Sequence, residues 1–254
     1  MKASEITARR NRISELLYQN QTMKVTELVA IFNVSDETIR KDLSYLEDEG
    51  ILIKKYGRAE LVQQDELTPV INRTPIHLDK KRQIAEKAAE QIPKHSCSIG
   101  LDQGSTVALL AAKIQKLSEK QIFTGSLAAI LELVNSQHQI YCFGGRYAFN
   151  DMAFHNDTSI ELYPDIQLDL CFFGSSGVQN REGFCTSSLV DAEIKRRLLK
   201  KSAKKIVLLD NTKFESTSLV QVASWKEIDL VITNHFISQK DRERISAQTE
   251  LITV

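Results

Sequence analysis

Near the N-terminus the apolar residues recur at helical spacing. Between Ile6 and Gln19 they are Ile13, Leu16 and Leu17, with Arg9, Arg10 and Arg12 on other faces. A polar break at Asn20-Gln21-Thr22 ends this segment, and Val25-Thr26-Glu27 opens a second, shorter helix. Its expected N-cap is Thr26 and its expected inner face Leu28, Ile31 and Phe32. Asn33-Val34 forms the turn, and Ser35 caps a third helix with the stripe Ile39, Leu43 and Leu46, ending at Gly50. Two β-like pieces follow, Ile51–Lys55 and Ala59–Val62, around Tyr56-Gly57-Arg58. Three helices and a β-hairpin make a small winged helix-turn-helix over residues 1–62.

The pattern then changes. Residues 63–78 contain Pro69 and Pro75 and show little periodicity, which predicts a linker. From Asp79 a helix to about Gln91 precedes six short apolar runs: 98–101, 121–124, 140–143, 168–173, 206–209 and 230–233. Continuous apolar runs suit strands covered on both faces, and alternation with helices predicts a parallel-rich α/β domain over residues 79–254. Nearly every run ends in small or polar residues, at the carboxyl ends of strands where such sheets bind ligands.

Composition sets limits on this picture. An apolar fraction of 42% with 26% charged residues describes an ordinary globular protein. No segment reaches the length of a membrane span, and Met1-Lys2-Ala3-Ser4-Glu5 lacks the apolar stretch of a secretory signal, so the expected location is cytoplasmic. Cys97, Cys142, Cys171 and Cys185 form no C-x-x-C pair, and the histidines form no cluster; buried thiols are expected, with no metal and no cofactor. Thirty-three basic residues balance thirty-three acidic ones. Residues 1–60 are also neutral in sum, so any affinity for nucleic acid rests on where the charges sit.

With Ile39, Leu43 and Leu46 turned inward, the third helix offers Ser35, Asp36, Glu37, Thr38, Arg40, Lys41 and Ser44 to a major groove. Arg40 is the candidate base contact, because a guanidinium bonds guanine through two N–H groups. Lys41, Lys54, Lys55 and Arg58 are candidate phosphate or wing contacts. Spacing alone is met equally by a three-helix bundle with Arg40 and Lys41 on a solvated face. The residues themselves narrow the choice. Val25-Thr-Glu-Leu28, Val34-Ser-Asp-Glu-Thr-Ile-Arg-Lys-Asp-Leu43, Leu46-Glu47, Gly50 and Tyr56-Gly-Arg-Ala59 resemble the N-terminal signature of DeoR-type bacterial regulators. Lys41 and Arg58 stand where that family has a second Arg and a second Gly. Lys41 keeps a charge but loses a fork donor.

In the second domain, Leu101-Asp102-Gln-Gly104-Ser105-Thr106 falls at a strand end and opens a helix. Backbone N–H groups, two hydroxyls and a glycine there suit a phosphate, although an ordinary strand–turn–helix has the same pattern. The resemblance extends across this domain. Asp102-Gln-Gly-Ser-Thr106, Thr124-Gly-Ser126, Gly144-Gly145-Arg146, Gly174-Ser-Ser-Gly177, Asp210-Asn-Thr-Lys213 and Ile232-Thr-Asn234 are similar to the successive motifs of the DeoR-type sensor domain, with Gln103, Gly125 and Asn234 as departures. The resemblance implies a fold similar to ribose-phosphate isomerases and a phosphorylated sugar or polyol as effector. It further implies that Ser105, Thr106 and nearby backbone hold the phosphate, that Arg146, Lys195 or Lys213 supply positive charge, and that Asp102 and Asp210 bond hydroxyls. The partners expected are double-stranded operator DNA and other copies of the chain, as a dimer or tetramer. A sugar-phosphate isomerase-like enzyme with an accessory DNA module is the alternative, and no spacing of acid and base demands it.

Overall fold

The computed structural model describes residues 3–20, 22–48, 52–61, 70–74, 76–155 and 166–254. The chain divides into two compact units, one of residues 1–68 and 72–77, the other of residues 69–71 and 78–254.

In the first unit, α1 (Ala3–Asn20) leads through β1 (Thr22–Lys24) into α2 (Val25–Phe32), α3 (Asp36–Asp48), β2 (Leu52–Lys55) and β3 (Arg58–Leu61). The strands pair antiparallel in the order β1-β3-β2. Ile13, Leu17, Leu28, Ile39, Leu43 and Leu52 form the buried centre. Tyr56 and Gly57, at φ 47° and 77°, make the two-residue turn between β2 and β3. Positive φ at both central residues matches the twist of the flanking strands.

Three local expectations are corrected here. Residue 24, not Thr26, sits at the N-cap of α2, where its backbone N–H donates to Glu27 Oε2 at 2.8 Å. Ile31, expected inside, is 53% exposed, while Phe32 packs against the core. Thr22, read as part of a break, instead begins the third strand of the wing, Thr22–Lys24. Gly50, Ile51, Val62 and most of the expected linker lie outside the described residues. Within that linker α4 (Val70–Arg73) is helical, and the Val70 N–H donates to the Asn150 carbonyl at 2.8 Å.

The second unit runs α5 (Leu78–Ala89), β4 (Ser98–Leu101), α6 (Ser105–Ile114), β5 (Gln121–Thr124), α7 (Leu127–Leu133) and β6 (Gln139–Cys142). A hairpin follows, β7 (Arg146–Ala148) with β8 (Ala153–His155). Beyond it come β9 (Leu168–Gly174), β10 (Gly183–Thr186), α8 (Leu189–Lys200), β11 (Ser202–Leu208), β12 (Val220–Ser224), β13 (Leu230–Thr233), α9 (Gln239–Ser246) and β14 (Glu250–Thr253). Seven strands form one sheet in the order β14-β13-β11-β9-β4-β5-β6, every pair parallel. Alternate residues feed two cores: Ile206 and Leu208 join Ile84 and Leu110, while Val207 joins Phe173 and Trp225. Helices on both faces explain why these strands read as unbroken apolar runs.

The order reverses between β4 and β9. Strands β5 and β6 extend the sheet one way from β4, and β9, β11, β13 and β14 the other. This is the topological switch point, where the loops after adjacent strands diverge and leave a crevice. Cys97, Cys171 and Cys185 are buried as expected, but Cys142, at the end of the edge strand β6, is exposed. No helix among the described residues is long and apolar enough to cross a membrane.

Candidate DNA interface and effector pocket

Helix α3 starts on a hydroxyl cap: Ser35 Oγ accepts the Thr38 N–H at 3.2 Å and lies 2.8 Å from Thr38 Oγ1. Ser35 and Thr38 thus serve the helix start while remaining on its outer surface. Arg40 and Lys41 each pair with an acid one turn earlier, Asp36 and Glu37, and all four side chains are more than half exposed. Exposed pairs of this kind exchange readily for a phosphate or a base edge. Ser44 Oγ donates to the Arg40 carbonyl at 2.9 Å and accepts from Lys54 Nζ at 2.9 Å, so wing and reading helix are tied together. From below, Asp42 fixes the helix to α1, accepting from Arg9 Nε at 2.6 Å and Arg10 Nε at 2.9 Å.

The wing brings three cations into one row. Lys24 on β1 lies opposite Arg58 on β3, which lies opposite Lys55 on β2. Directly opposed residues project from the same face, and like charges there are unfavourable in an isolated sheet. All three are exposed, and Lys55 is partly balanced by Glu60 at 3.3 Å. A polyanion lying across the strands would meet the whole row. Arg58, expected within the wing turn, instead opens β3.

At the switch point the Gly174 N–H donates to Asp102 Oδ2 at 2.8 Å, bridging the ends of β9 and β4. Lys195, expected among the candidates to supply positive charge to a phosphate, is 3% exposed; its ammonium bonds Asp102 and lies 3.5 Å from Asp191 Oδ2. Asp191 also accepts from the Thr186 hydroxyl. Burial is the main influence on the Asp102 carboxyl and, reinforced by the nearby Asp191 charge, pushes it up to about 6 despite Lys195 and the Gly174 N–H. Burial acts on Lys195 to release its proton, but Asp102 and Asp191 together outweigh it and raise the ammonium above its ordinary value. The lysine therefore neutralises buried carboxylates and is not free for an anion.

Helix α6 begins after Gly104, whose φ of 128° favours glycine, and no side chain caps it. Its first N–H groups are thus offered to a ligand at the positive end of the helix. Ser105 and Thr106 are buried beside them. Adjacent lies a pocket with Asp102, Gln103, Ser126 and Asp191 among apolar walls that include Phe143 and Phe154.

The remaining expected residues divide. Thr124 Oγ1 donates to the Leu101 carbonyl at 2.7 Å and accepts the Ser126 N–H at 3.0 Å, while Ser126 Oγ caps α7; they shape the loop. Asp210 caps the short 3-10 helix Asn211–Phe214 through Thr212, and Lys213 sits on that helix. Gly144, Gly145 and Arg146 are exposed at the hairpin base, and Arg146 lies opposite His155 in the β7–β8 ladder. None of these last five residues lines the pocket.

Residues 9–65 match the DeoR-like helix-turn-helix domain and residues 76–235 the DeoR C terminal sensor domain. The chain belongs to the DeoR family. It is therefore a transcriptional regulator with a DNA-binding module and a sensor domain. A Listeria innocua relative, the HTH-type transcriptional regulator GolR, is 33% identical over 91% of both chains. The glycerol-3-phosphate regulon repressor of Escherichia coli is 28% identical over 90% of both. The L-fucose operon activator of Haemophilus influenzae is 29% identical over 96% of this chain and 99% of its own. A ribose 5-phosphate isomerase A from Methanocaldococcus jannaschii overlaps 54% of each chain at 16% identity with a TM-score of 0.39, too low to bear on function.

Within this DeoR-family chain, several residues at the two sites escaped the sequence reading. Lys24 shows no pattern of its own, because its strand pairs with β3, more than thirty residues on. Asp191, Asp151, Phe154 and His155 reach the pocket region only through the burial of α8 and the folding of the β7–β8 hairpin. Lys24→Ala is expected to weaken DNA binding without changing sequence preference. The slope of log K against log salt should fall by about 1, the loss of a single phosphate contact. A titration at four salt concentrations checks this, and an unchanged slope would take Lys24 out of the interface.

Proposed function

We propose that this DeoR-family protein represses a sugar or polyol catabolic operon and that a phosphorylated sugar or polyol, bound at the carboxyl end of the seven-stranded sheet, changes its affinity for operator DNA. The observation that carries the reading is the uncapped start of α6 at Gly104–Thr106, an anion site in form, beside a pocket whose polar groups suit hydroxyls. Relatives named for glycerol 3-phosphate and L-fucose support a carbohydrate-derived effector.

On this reading residues 1–62 read the operator, residues 63–78 join the domains, and residues 79–254 bind the effector and oligomerise. Ser35, Asp36, Glu37, Thr38, Arg40, Lys41 and Ser44 face the major groove, and Lys54, Lys55, Arg58 and Lys24 hold phosphates. One short reading helix binds weakly alone, so a dimer or tetramer engages two half-sites. The effector binds without being turned over: Asp102, Asp191 and Lys195 satisfy one another inside the domain. Arg146 and Lys213 remain as candidate cations for the phosphate.

Arg40→Ala should lower operator affinity by about 10- to 100-fold and relax preference at one base pair, as expected for loss of a bidentate contact. Binding as tight and selective as the parent's, in a competition assay, would remove Arg40 from the reading role. Ser105→Asp should abolish the response to the effector while leaving operator affinity unchanged, because a carboxylate at the start of α6 repels phosphate. Calorimetry with the effector tests this; an unaltered affinity would exclude the α6 start as the phosphate site.

A further inference from the structure

The pocket beside α6 is chemically one-sided. Asp102 and Asp191 share the single ammonium of Lys195, so two acids face one base on this wall. Behind Gln103, outside the pocket lining, His155 Nε2 lies 3.1 Å from Gln103 Oε1 and 3.2 Å from Asp151 Oδ2. Both partners are acceptors, so Nε2 carries hydrogen and Gln103 is held with its carbonyl toward the hairpin. That leaves the amide N–H groups of Gln103 to serve a ligand. Ser126 Oγ already accepts the Ala129 N–H at 3.2 Å, which leaves its hydroxyl hydrogen to donate.

Donors from Gln103 and Ser126 thus stand among carboxylate acceptors and apolar walls. A hydroxyl, which donates and accepts at once, complements such a set; a second anionic group would stand against Asp102 and Asp191. The hairpin closes this end of the pocket. The Phe154 N–H donates to the Gly125 carbonyl at 2.7 Å, and the Leu127 N–H to Met152 at 2.7 Å, so His155 is carried on a strand anchored to the loop after β5.

We propose that Gln103, positioned by His155 and Asp151, is the specificity-determining residue of the sensor and selects an effector with one anionic end and an uncharged, hydroxyl-bearing end. This rests on the phosphorylated-effector reading above and orients that effector: phosphate at Gly104–Thr106, hydroxyls toward Gln103, Ser126 and the carboxylates. His155 is a positioning residue that acts through Gln103.

The test is calorimetry on the full chain with inorganic phosphate, sn-glycerol 3-phosphate, D-glucitol 6-phosphate, 6-phospho-D-gluconate and unphosphorylated D-glucitol. D-Glucitol 6-phosphate should bind at least 10-fold tighter than 6-phospho-D-gluconate, which differs by its terminal carboxylate. Gln103→Leu, similar in volume, should narrow the preference for the neutral polyol phosphates over inorganic phosphate by about 10-fold, the loss of one hydrogen bond. It should leave the affinity for inorganic phosphate itself unchanged. His155→Phe should give a smaller loss in the same direction, and His155→Asn, which keeps an N–H donor, should restore part of it. Equal binding of the two six-carbon phosphates, or an equal fall for every probe in Gln103→Leu, overturns the proposal. Gln103-dependent binding of unphosphorylated D-glucitol with none of inorganic phosphate would support the hydroxyl pocket and refute the phosphate site. Binding of no probe refutes both.

Discussion

Lys195→Met should destabilise the sensor domain by about 3–5 kcal/mol and abolish its response to effector. The lysine stands between Asp102 and Asp191, each less than 5% exposed, so its removal leaves two nearly buried carboxylates without their counter-charge. Asp102 would take up a proton to escape that cost, and the protonated acid would no longer accept the Gly174 N–H on the terms it does now. The bridge between the ends of β4 and β9 would loosen, and with it the loop that starts α6. A domain of this size gains or loses about 2–4 °C of melting temperature per kcal/mol, so a fall on the order of 10 °C is expected by calorimetry. Adding Asp102→Asn to Lys195→Met should recover part of it, since one stranded charge disappears. A fall under about 1 kcal/mol would mean that water or a shifted backbone already satisfies the two acids.

Asp42→Ala is the second large effect, expected at about 2–4 kcal/mol in the reading domain together with loss of selective operator binding. Asp42 is buried beneath α3 and accepts from Arg9 and Arg10 of α1, while the Arg10 guanidinium also lies 3.8 Å over the Tyr45 ring. Alanine leaves the Arg9 guanidinium, itself 10% exposed, without this carboxylate and frees α3 to shift against α1. Selective binding needs the reading helix at one depth and angle in the groove, whereas salt-sensitive binding to any duplex needs only the exposed cations of the wing. The variant should therefore lose specific affinity and keep most non-specific affinity. Amide exchange in α3 and competition between operator and random duplex separate the two. An unchanged ratio of specific to non-specific binding would contradict the role given to Asp42.

Much of this architecture was written in local pattern. The runs at 98–101, 121–124, 168–173 and 230–233 became central strands because apolar side chains on both faces leave no other placement for them. The stripe Ile39, Leu43 and Leu46 likewise set which face of α3 points outward. What escaped depends on partners distant in the chain. Strands β10 and β12 pair with each other across α8 and β11 and carry a register shift at Phe184/Cys185, so neither shows a clean period. Lys195 looked like part of a charged run, Glu193-Ile-Lys-Arg-Arg197, yet it shares a helical stripe with Asp191, Leu198 and Leu199, all buried. That spacing was the available signal, overridden by the habit that lysine faces water. The loop Asp102–Thr106 was legible as a glycine-bearing strand end, whereas the contacts of His155 on the hairpin with Gln103 and Asp151 were not.

The central claim is that one chain reads DNA and couples that reading to a sugar phosphate. The most direct measurement is binding of the full-length protein to fragments of its own genomic neighbourhood, at two salt concentrations, with and without a panel of sugar and polyol phosphates. The account predicts selective binding to one fragment, weaker at higher salt, and shifted about 5- to 150-fold by one phosphorylated compound. Absence of selective binding at low salt, with every compound tried, would contradict it.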